Sequence, residues 1–361
     1  MPPFRAEHVG SLLRPPELHE ARARARAGTL TAAQLTAVED RCVRAAVAKQ
    51  QALGLPVVTD GEFRRDFWHL DFLRRLEGVG TAPIPGAVFA AEDVPPMPTV
   101  TGRVRCAGPI MSDHFAALRA VASAVPKLTI PAPAMLHLRG GRAAISLEPY
   151  PDLGAFWADA AAAYRTAIAH IAAAGCTYLQ MDDVSFSYLC DPEVRDGLRA
   201  AGDDPATLPR TYADAIDAAL RDRPAGMTVA MHTCRGNFRS TWLAASAYDD
   251  AVMEAMFSTA VDAFFMEWDS DRAGGFEPLR LLPRDKTVVL GLVTTKSGAL
   301  ESKDTLKRRI DDAAKHVPLE RLALSPQCGF ASTHHGNALS EEDQWRKLAL
   351  VVEVAQEVWA A

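Results

Sequence analysis

Short apolar segments alternate with longer amphipathic segments along almost the whole chain. Several short segments, such as "TVVLGLV" (287–293), are continuous apolar runs, which is typical of parallel strands covered by helices on both faces. Eight such segments occur, at 4–9, 56–60, 127–133, 177–183, 227–232, 263–268, 287–293 and 321–326. The alternation predicts an α/β fold with a parallel sheet, and eight strands in one chain predict a (β/α)8 TIM barrel.

The longer segments predict the covering helices, and one region departs from the pattern. Helices are expected at 16–28, 32–53, 155–174, 208–221, 302–315 and 341–359. Residues 61–126 contain the stretch "GTAPIPGAVFAAEDVPPMPTVTG", which is too rich in Pro and Gly for one barrel unit. We therefore predict a single domain over 1–361, with 61–126 as an insertion after strand two that carries a small hairpin near 86–106.

Charge and cysteine usage restrict the class of partner and the compartment. A formal charge of -6 and a pI near 5.9 argue against nucleic-acid and membrane-surface partners, which require a basic face. No apolar run is long enough to span a membrane, and "MPPFRAEHVGS" does not resemble a signal peptide. Six scattered cysteines do not form a disulfide framework in a chain of 361 residues. We predict a cytoplasmic protein whose cysteines serve metal binding or catalysis.

Four metal-ligand residues follow three of the predicted strands. His232 and Cys234 end the fifth strand, Glu267 ends the sixth, and Cys328 follows the eighth. Carboxyl ends of barrel strands share one rim, so these side chains are expected to meet there as a tetrahedral Zn²⁺ site. Taken singly, each has a simpler explanation: the H-x-C pair is a weak signal, Glu267 suits an ion pair, and Cys328 suits a small buried apolar residue.

Several motifs in a fixed order resemble one known family. They are "HVGSLLRP" (8–15), "VVTDGEFRRDFWHLDF" (57–72), "LQMDDVSF" (179–186), "MHTCRGN" (231–237), "FFMEWD" (264–269) and "SPQCGF" (325–330). Together they resemble the catalytic barrel of cobalamin-independent methionine synthase, and more closely its short single-barrel bacterial homologues. The resemblance implies that His232, Cys234, Glu267 and Cys328 bind zinc.

The donor set also indicates what the metal is for. Metal binding deprotonates a substrate thiol, and the thiolate is the nucleophilic form. Two cysteinates and one carboxylate outweigh the charge of the ion, so a bound sulfur keeps its electron density. Hydrolytic zinc sites more often use neutral His ligands, which leave the ion a stronger Lewis acid. The set therefore favours alkyl transfer to a thiol.

The resemblance further implies where a thiol amino acid is held. Gly10 and Ser11 correspond to a family motif that contacts the amino-acid part of the substrate, and backbone amides beside a glycine suit a carboxylate. Glu62 and Asp182 correspond to acids that contact homocysteine and are placed to pair with its ammonium group. Asp183 replaces Asp182 in that role if the strand register differs by one.

The methyl donor is less determined. Full-length family members have an additional N-terminal barrel that this chain lacks, so the donor is a methyl-folate, a methylated corrinoid protein or a small S-methyl compound. Lys296 occupies the place of a family histidine that protonates the leaving group. It can donate a proton, bind an anionic donor or be a solvated loop residue.

Four residues are predicted to line the donor pocket. Trp68 is expected to stack on the donor and Arg64 to bind an anion, with His69 beside them, although an amphipathic helix that packs its aromatic residues explains the same stretch. Arg103, in "TGRVRC", resembles an arginine segment near the folate site of the family.

The sequence predicts a zinc-dependent S-methyltransferase that makes methionine from the zinc-bound thiolate of homocysteine, similar to 5-methyltetrahydropteroyltriglutamate-homocysteine S-methyltransferase. Two alternatives remain: alkyl transfer to another thiol, such as the opening of an epoxide by a thiol cofactor, and a barrel with a purely structural zinc. The predicted partners are small molecules and, for one of the donors, a corrinoid protein. The chain also permits a homo-oligomer.

Overall fold

The computed structural model describes residues 3–83 and 95–359. Its helices are α1 (Pro16–Arg26), α2 (Ala32–Ala52), α3 (Leu70–Leu73), α4 (Ser112–Val121), α5 (Leu153–Ala173), α6 (Ser185–Leu189), α7 (Pro192–Ala200), α8 (Leu208–Leu220), α9 (Asp250–Phe257), α10 (Lys303–Ala314) and α11 (Glu341–Trp359). Its strands are β1 (Val57–Val58), β2 (Glu77–Ala82), β3 (Met97–Arg105), β4 (Val125–Pro126), β5 (Leu128–Pro131), β6 (Tyr178–Asp183), β7 (Thr228–Thr233), β8 (Ala263–Glu267), β9 (Thr287–Val293) and β10 (Leu322–Pro326).

The central sheet is parallel and has the strand order of a barrel. Six strands pair in the order β10-β9-β8-β7-β6-β5, and β1 pairs in parallel with β4. Ala6 forms a parallel bridge with Leu324 beside β10. The ring closes where Thr59 Oγ1 donates a hydrogen bond of 2.6 Å to the carbonyl of Gly10. The predicted α/β barrel is confirmed.

Two of the eight predicted strands are much shorter than expected. The segment at 4–9 contributes only the bridge at Ala6, and the segment at 56–60 contributes only Val57 and Val58. The side chain of Gln50 bonds both backbone groups of Thr59, accepting from its N–H at 3.0 Å and donating to its carbonyl at 2.9 Å. Those groups are therefore satisfied without a neighbouring strand, and the ladder ends.

The predicted insertion contains an antiparallel pair. Strand β2 pairs with β3, with Ala82 opposite Met97. The hairpin was expected near 86–106, and β3 lies within that range, but β2 precedes it, and residues 84–94 lie outside the described residues. The extent of the insertion and the single-domain boundaries stay predictions.

Local signals explain the long helices that cover the barrel. Helix α2 begins with a capping box in which Thr31 and Gln34 bond each other's backbone N–H groups. Helix α5 begins after Asp152, whose side chain accepts from the N–H groups of Gly154 and Ala155. Between 3 and 359, outside 84–94, we find no helix with the length and apolar character needed to cross a membrane.

Candidate metal and substrate site

The four predicted ligands meet above the barrel. His232 lies in β7, Cys234 follows it, Glu267 ends β8 and Cys328 lies just beyond β10. All four are buried, and one ligand atom from each lies within 4.8 Å of all the others. The two sulfur atoms are 3.5 Å apart, and His232 Nε2 is 3.9 Å from Glu267 Oε1. Adjacent parallel strands bring these side chains together because they end on the same rim.

The cluster is suited to a cation. Neither ring nitrogen of His232 has a hydrogen-bond partner among the described residues, although the ring is buried. Such orphaned groups are rare in proteins and call for an explanation. One nitrogen, two sulfurs and one carboxylate oxygen match the ligand types and number of a tetrahedral site for a borderline-soft divalent metal.

Mutual electrostatics already favour ionised sulfur in this cluster. Contact with Cys234 lowers the pKa of Cys328, whereas the same contact raises the pKa of Cys234. Burial lowers the pKa of His232, but the Cys328 sulfur, with Asp182 and Glu267, more than offsets it and raises the pKa to about 9. One thiolate and one imidazolium are therefore compatible at neutral pH. A metal cation held by these residues would take the place of the imidazolium proton in balancing the sulfur charge.

Glu267 is held from two sides. The backbone N–H of Arg235 donates to Oε1 at 3.1 Å, and Arg272 Nη2 donates to Oε2 at 2.9 Å. Arg272 is itself held by Asp269, at 2.7 Å. Burial raises the pKa of Glu267, and the charge of Lys296 is the largest influence in the opposite direction. The carboxylate is thus oriented before any ligand binds.

A cleft opens beside the metal cluster. It has about 590 Å³ of empty space, including the part open to solvent, which falls in the range of small-molecule sites. It is lined by Val9, Ser11, Glu62, Trp68, Pro95, Arg139, Asp182, Val184, Tyr188, His232, Cys234, Gly236, Asn237, Phe238, Cys328, Gly329, Ser332 and Thr333. The lining therefore combines three of the cluster residues with four predicted substrate or donor residues.

The two acidic residues of the cleft are buried carboxylates. Glu62 has a left-handed backbone (φ 59°), and its Oε1 accepts a hydrogen bond of 3.0 Å from Thr129. Gln180 donates to Asp182 Oδ1 at 2.6 Å. Burial, reinforced by the charge of Glu62, raises the pKa of Asp182 to about 7. A ligand ammonium group would relieve this repulsion and let both carboxylates ionise.

Ser11 lies against the loop that carries Cys328. Its carbonyl accepts a hydrogen bond of 2.9 Å from the N–H of Phe330. A side chain at Gly329 would overlap Ser11 Oγ, so only glycine permits this approach. Gly10 has φ +145°, and a Cβ there would lie 2.9 Å from a methyl carbon of Thr129. Gly329 therefore allows the last barrel segment to approach Ser11, and Gly10 allows the first segment to pack against Thr129 of β5.

The structure resolves which of two adjacent aspartates faces the cleft. Asp182 lines it, whereas Asp183 Oδ1 accepts hydrogen bonds from Ser185 N and Oγ and from Phe186 N at the start of α6. Successive residues of a strand point to opposite faces of the sheet, so only one of these two aspartates can face the cleft.

Four predicted residues are placed elsewhere. Arg64 points away from the cleft to Glu39 and Asp40 of α2, at 3.3 and 2.5 Å. Arg103 is half-exposed on β3 and pairs with Asp159 at 2.9 Å. Neither residue is among the described lining of the cleft, and local carboxylates already hold both guanidinium groups, so their donor-pocket assignments stay predictions.

The other two, His69 and Lys296, are also not among the described lining residues. His69 is fully buried beside Trp68, with ring centroids 4.7 Å apart, so it supports the wall rather than facing the cleft. Lys296 Nζ lies 3.9 Å from Asp269 Oδ2, and Lys296 is not among the described residues that line the cleft. Of the donor-pocket residues, Trp68 alone is among the described lining residues.

The sequence prediction missed four residues of the site. Arg139, Tyr188 and Asn237 line the cleft, and Arg65 is fully buried beneath it, donating to Thr129 Oγ1 and O at 3.0 and 2.8 Å. Asn237 was visible as the last residue of "MHTCRGN", and Arg139 as a charge after an apolar run, "IPAPAMLHLR". Arg65 gave no such signal, because it adjoins Arg64 in a charged stretch.

A family profile described as the catalytic domain of cobalamin-independent synthase matches residues 4–357. The chain belongs to the cobalamin-independent methionine synthase family. Within it, the chain is 46% identical over 361 residues to the uncharacterized protein YxjH of Bacillus subtilis, covering 99% of this chain and 95% of YxjH. It is 22% identical over 352 residues to a methionine synthase of Saccharolobus solfataricus, covering 96% and 92% of the two chains.

Solved structures of this methionine synthase family share the fold. A candidate vitamin-B12 independent methionine synthase from Listeria monocytogenes has a TM-score of 0.79 and 39% identity, with 99% of this chain and 98% of that chain covered. A B12-independent methionine synthase from Shewanella, in complex with selenomethionine, has a TM-score of 0.74 and 19% identity, with 98% and 97% covered. At that identity the second likeness concerns the fold alone.

Proposed function

We propose that this chain is a zinc-dependent S-methyltransferase that converts homocysteine to methionine. The observation that carries the proposal is the buried His232, Cys234, Glu267 and Cys328 cluster, which borders a cleft containing Glu62 and Asp182. A thiol-activating donor set and two carboxylates for an ammonium group are what a thiol amino acid requires. Family membership and a cleft of small-molecule size support the same conclusion.

The two ends of the acceptor are assigned to different residues. Glu62 and Asp182 take the ammonium group, and the Gly10–Ser11 backbone takes the carboxylate. Zinc, when bound, supplies a positive charge that keeps a thiol deprotonated at neutral pH. The sulfur then forms a bond to the methyl carbon while the donor–methyl bond breaks, and the released electron pair stays on the donor, which takes up a proton.

Glu267 and its neighbours have a supporting role. Arg272 and the Arg235 N–H hold the Glu267 carboxylate in place. If an incoming sulfur displaces this carboxylate from the metal, Arg272 is available to hold the freed carboxylate. A carboxylate is a harder ligand than a thiolate, so it is the member of the set most readily exchanged. We assign Lys296 to the charge balance of Glu267 and Asp269 rather than to proton donation, since it lies outside the described cleft lining.

The donor is assigned by class only. Trp68 offers an aromatic face in the cleft wall for stacking on a planar donor such as a methyl-folate. Methylated corrinoids and small S-methyl compounds are the competing donors. The other acceptor class, a thiol without an amino-acid group, would bring no ammonium group to Glu62 and Asp182, which disfavours it.

The test is a methyl-transfer assay on metal-quantified protein. Homocysteine is supplied in turn with 5-methyltetrahydrofolate carrying one or three glutamates, methylcobalamin and S-methyl donors, and methionine is followed by mass spectrometry. About one zinc per chain and methionine from one donor class are expected. Bound zinc with no methionine formed from any donor would reject the homocysteine reaction. Zinc whose coordination does not change when thiols are added would indicate a structural metal.

A further inference from the structure

Arg139 is a guanidinium without a partner in the wall of the cleft. Its Nη1 is buried and has no hydrogen-bond partner, and no ion pair of Arg139 is found in the part of the chain that the structure describes. Arginine stays protonated near neutral pH, so it cannot relieve the cost of burial by losing its charge. Arg139 is partly buried, and a charge whose Nη1 is shielded from water in this way gains from a partner supplied by a ligand.

The residue is held in a well-defined loop at the carboxyl end of β5. It lies between two short 3-10 helices, Pro133–Leu136 and Gly141–Ala144. The His137 carbonyl accepts hydrogen bonds from the N–H groups of Gly140 and Gly141, at 3.1 and 2.7 Å. The His137 ring contacts Tyr212 Oη at 3.0 Å through Nδ1. These contacts hold the backbone of the loop that carries Arg139, so the residue starts from a fixed place at the cleft wall before a ligand arrives.

The other charges in the cleft indicate which ligand group suits Arg139. Glu62 and Asp182 bring negative charge, and Arg139 is the one arginine or lysine among the described lining residues. Its electrostatic neighbours include Tyr188 and the cluster residue Cys234, so it lies on the metal side of the cleft. A site with both signs of charge fits a ligand that directs a carboxylate to Arg139 and keeps it away from Glu62 and Asp182. A planar guanidinium pairs with a carboxylate through two parallel hydrogen bonds.

We propose that Arg139 is a substrate-binding residue that pairs with a carboxylate of one of the two substrates. The inference rests on the proposed function, because both homocysteine and a folate donor carry a carboxylate. The acceptor and the donor are distinguished by the two arms of the experiment below.

The acceptor arm compares two thiols by calorimetry on zinc-loaded, full-length protein. L-Homocysteine and 3-aminopropane-1-thiol share the thiol and the amine, and only the first has a carboxylate. If Arg139 binds the acceptor carboxylate together with the Gly10–Ser11 backbone, wild type prefers homocysteine by about 10- to 100-fold. Arg139→Met then loses most of that preference, with an unchanged affinity for the aminothiol.

The donor arm compares 5-methyltetrahydrofolate with a 5-methyltetrahydropterin that lacks glutamate. If Arg139 binds the donor, wild type prefers the folate over the pterin by about 10- to 100-fold, and Arg139→Met loses this preference. The variant then keeps the wild-type preference for homocysteine over the aminothiol. Arg139→Lys keeps a charge without the planar fork and is expected to fall between wild type and Arg139→Met in the affected arm. Arg44→Met, at an exposed position of α2, is the matched control and should behave as wild type in both arms.

The outcomes separate this inference from the proposed function. Zinc content and thermal melting of each variant show whether the site and the fold are intact. If wild type binds both substrates and Arg139→Met shows both preferences unchanged, the role of Arg139 is overturned while the proposed function stands. If wild type binds neither thiol, the proposed function fails, and the inference fails with it.

Discussion

Arg272 Nη2 donates a hydrogen bond of 2.9 Å to Glu267 Oε2, and both side chains are almost fully buried. The bond leaves Oε1 directed toward His232, at 3.9 Å from its Nε2. Groups that orient a metal ligand typically contribute 10- to 100-fold to affinity. The ligand geometry thus depends on a residue outside the ligand set.

We therefore expect Arg272→Met to weaken zinc affinity by about 10- to 100-fold with little change in fold. Competition with a chromophoric chelator measures the affinity. Arg280→Met is the control, because Arg280 is exposed and pairs with Asp250 far from the ligand set. An Arg272→Met protein with the zinc affinity of wild type would show that Glu267 needs no support from Arg272.

Replacing either cluster sulfur should remove metal and activity together. Cys234→Ser and Cys328→Ser are each expected to lose most bound zinc, since a serine hydroxyl is a much weaker ligand than a thiolate. Elemental analysis and methionine formation are measured on the same samples. Cys42→Ser, a buried cysteine in α2 outside the cluster, should keep both. Full activity in either cluster variant would refute the proposed site.

The two adjacent aspartates of β6 are expected to give different phenotypes. Asp182→Asn should raise KM for homocysteine by at least about tenfold at unchanged zinc content, because a charged partner for the ammonium group is lost. Asp183→Asn should leave KM near the wild-type value and lower the free energy of unfolding by about 1 kcal/mol, as for a weakened helix cap. Steady-state kinetics measure KM, and urea unfolding measures the free energy of unfolding, for both variants. A raised KM in Asp183→Asn with a normal KM in Asp182→Asn would contradict the assignment of Asp182 as the cleft-facing residue.

His114 should make stability fall in mild acid. It is buried in α4, and burial lowers its pKa from 6.5 to about 4. Asp60 and Asp113 oppose this shift, whereas Arg65 and Arg75 add to it. Between these pKa values the unfolded chain is protonated and the native histidine is neutral, so protons favour unfolding as pH falls from 6.5 toward 4.

The measurement is urea unfolding of wild type and His114→Gln at pH 7 and pH 5. Between pH 7 and pH 5, the free energy of unfolding of wild type should fall by about 2 kcal/mol more than that of the variant. This figure follows from about 1.36 kcal/mol for each pH unit below the unfolded pKa of 6.5. Equal losses in the two proteins would show that His114 is not held neutral in the native state.

The barrel and the ligand cluster were predictable from the sequence because both depend on local patterns. Continuous apolar runs between amphipathic segments specify buried parallel strands, and parallel strands must end on one rim. His232, Cys234, Glu267 and Cys328 each adjoin such an end, so knowing the strands was enough to bring them together. Segment 56–60 was overestimated because the Gln50 side chain, not a strand, satisfies the backbone groups of Thr59.

The cleft wall was decided by contacts between distant parts of the chain. Arg64 and Arg65 are neighbours in one charged stretch, yet Arg64 pairs with carboxylates about 24 residues earlier, and Arg65 is buried against Thr129, 64 residues later. Arg139 similarly lies in the wall because the loop after β5 folds over the barrel rim. Periodicity within a segment determines which face of a strand or helix is buried, but a loop side chain takes its direction from partners that only the folded chain brings near.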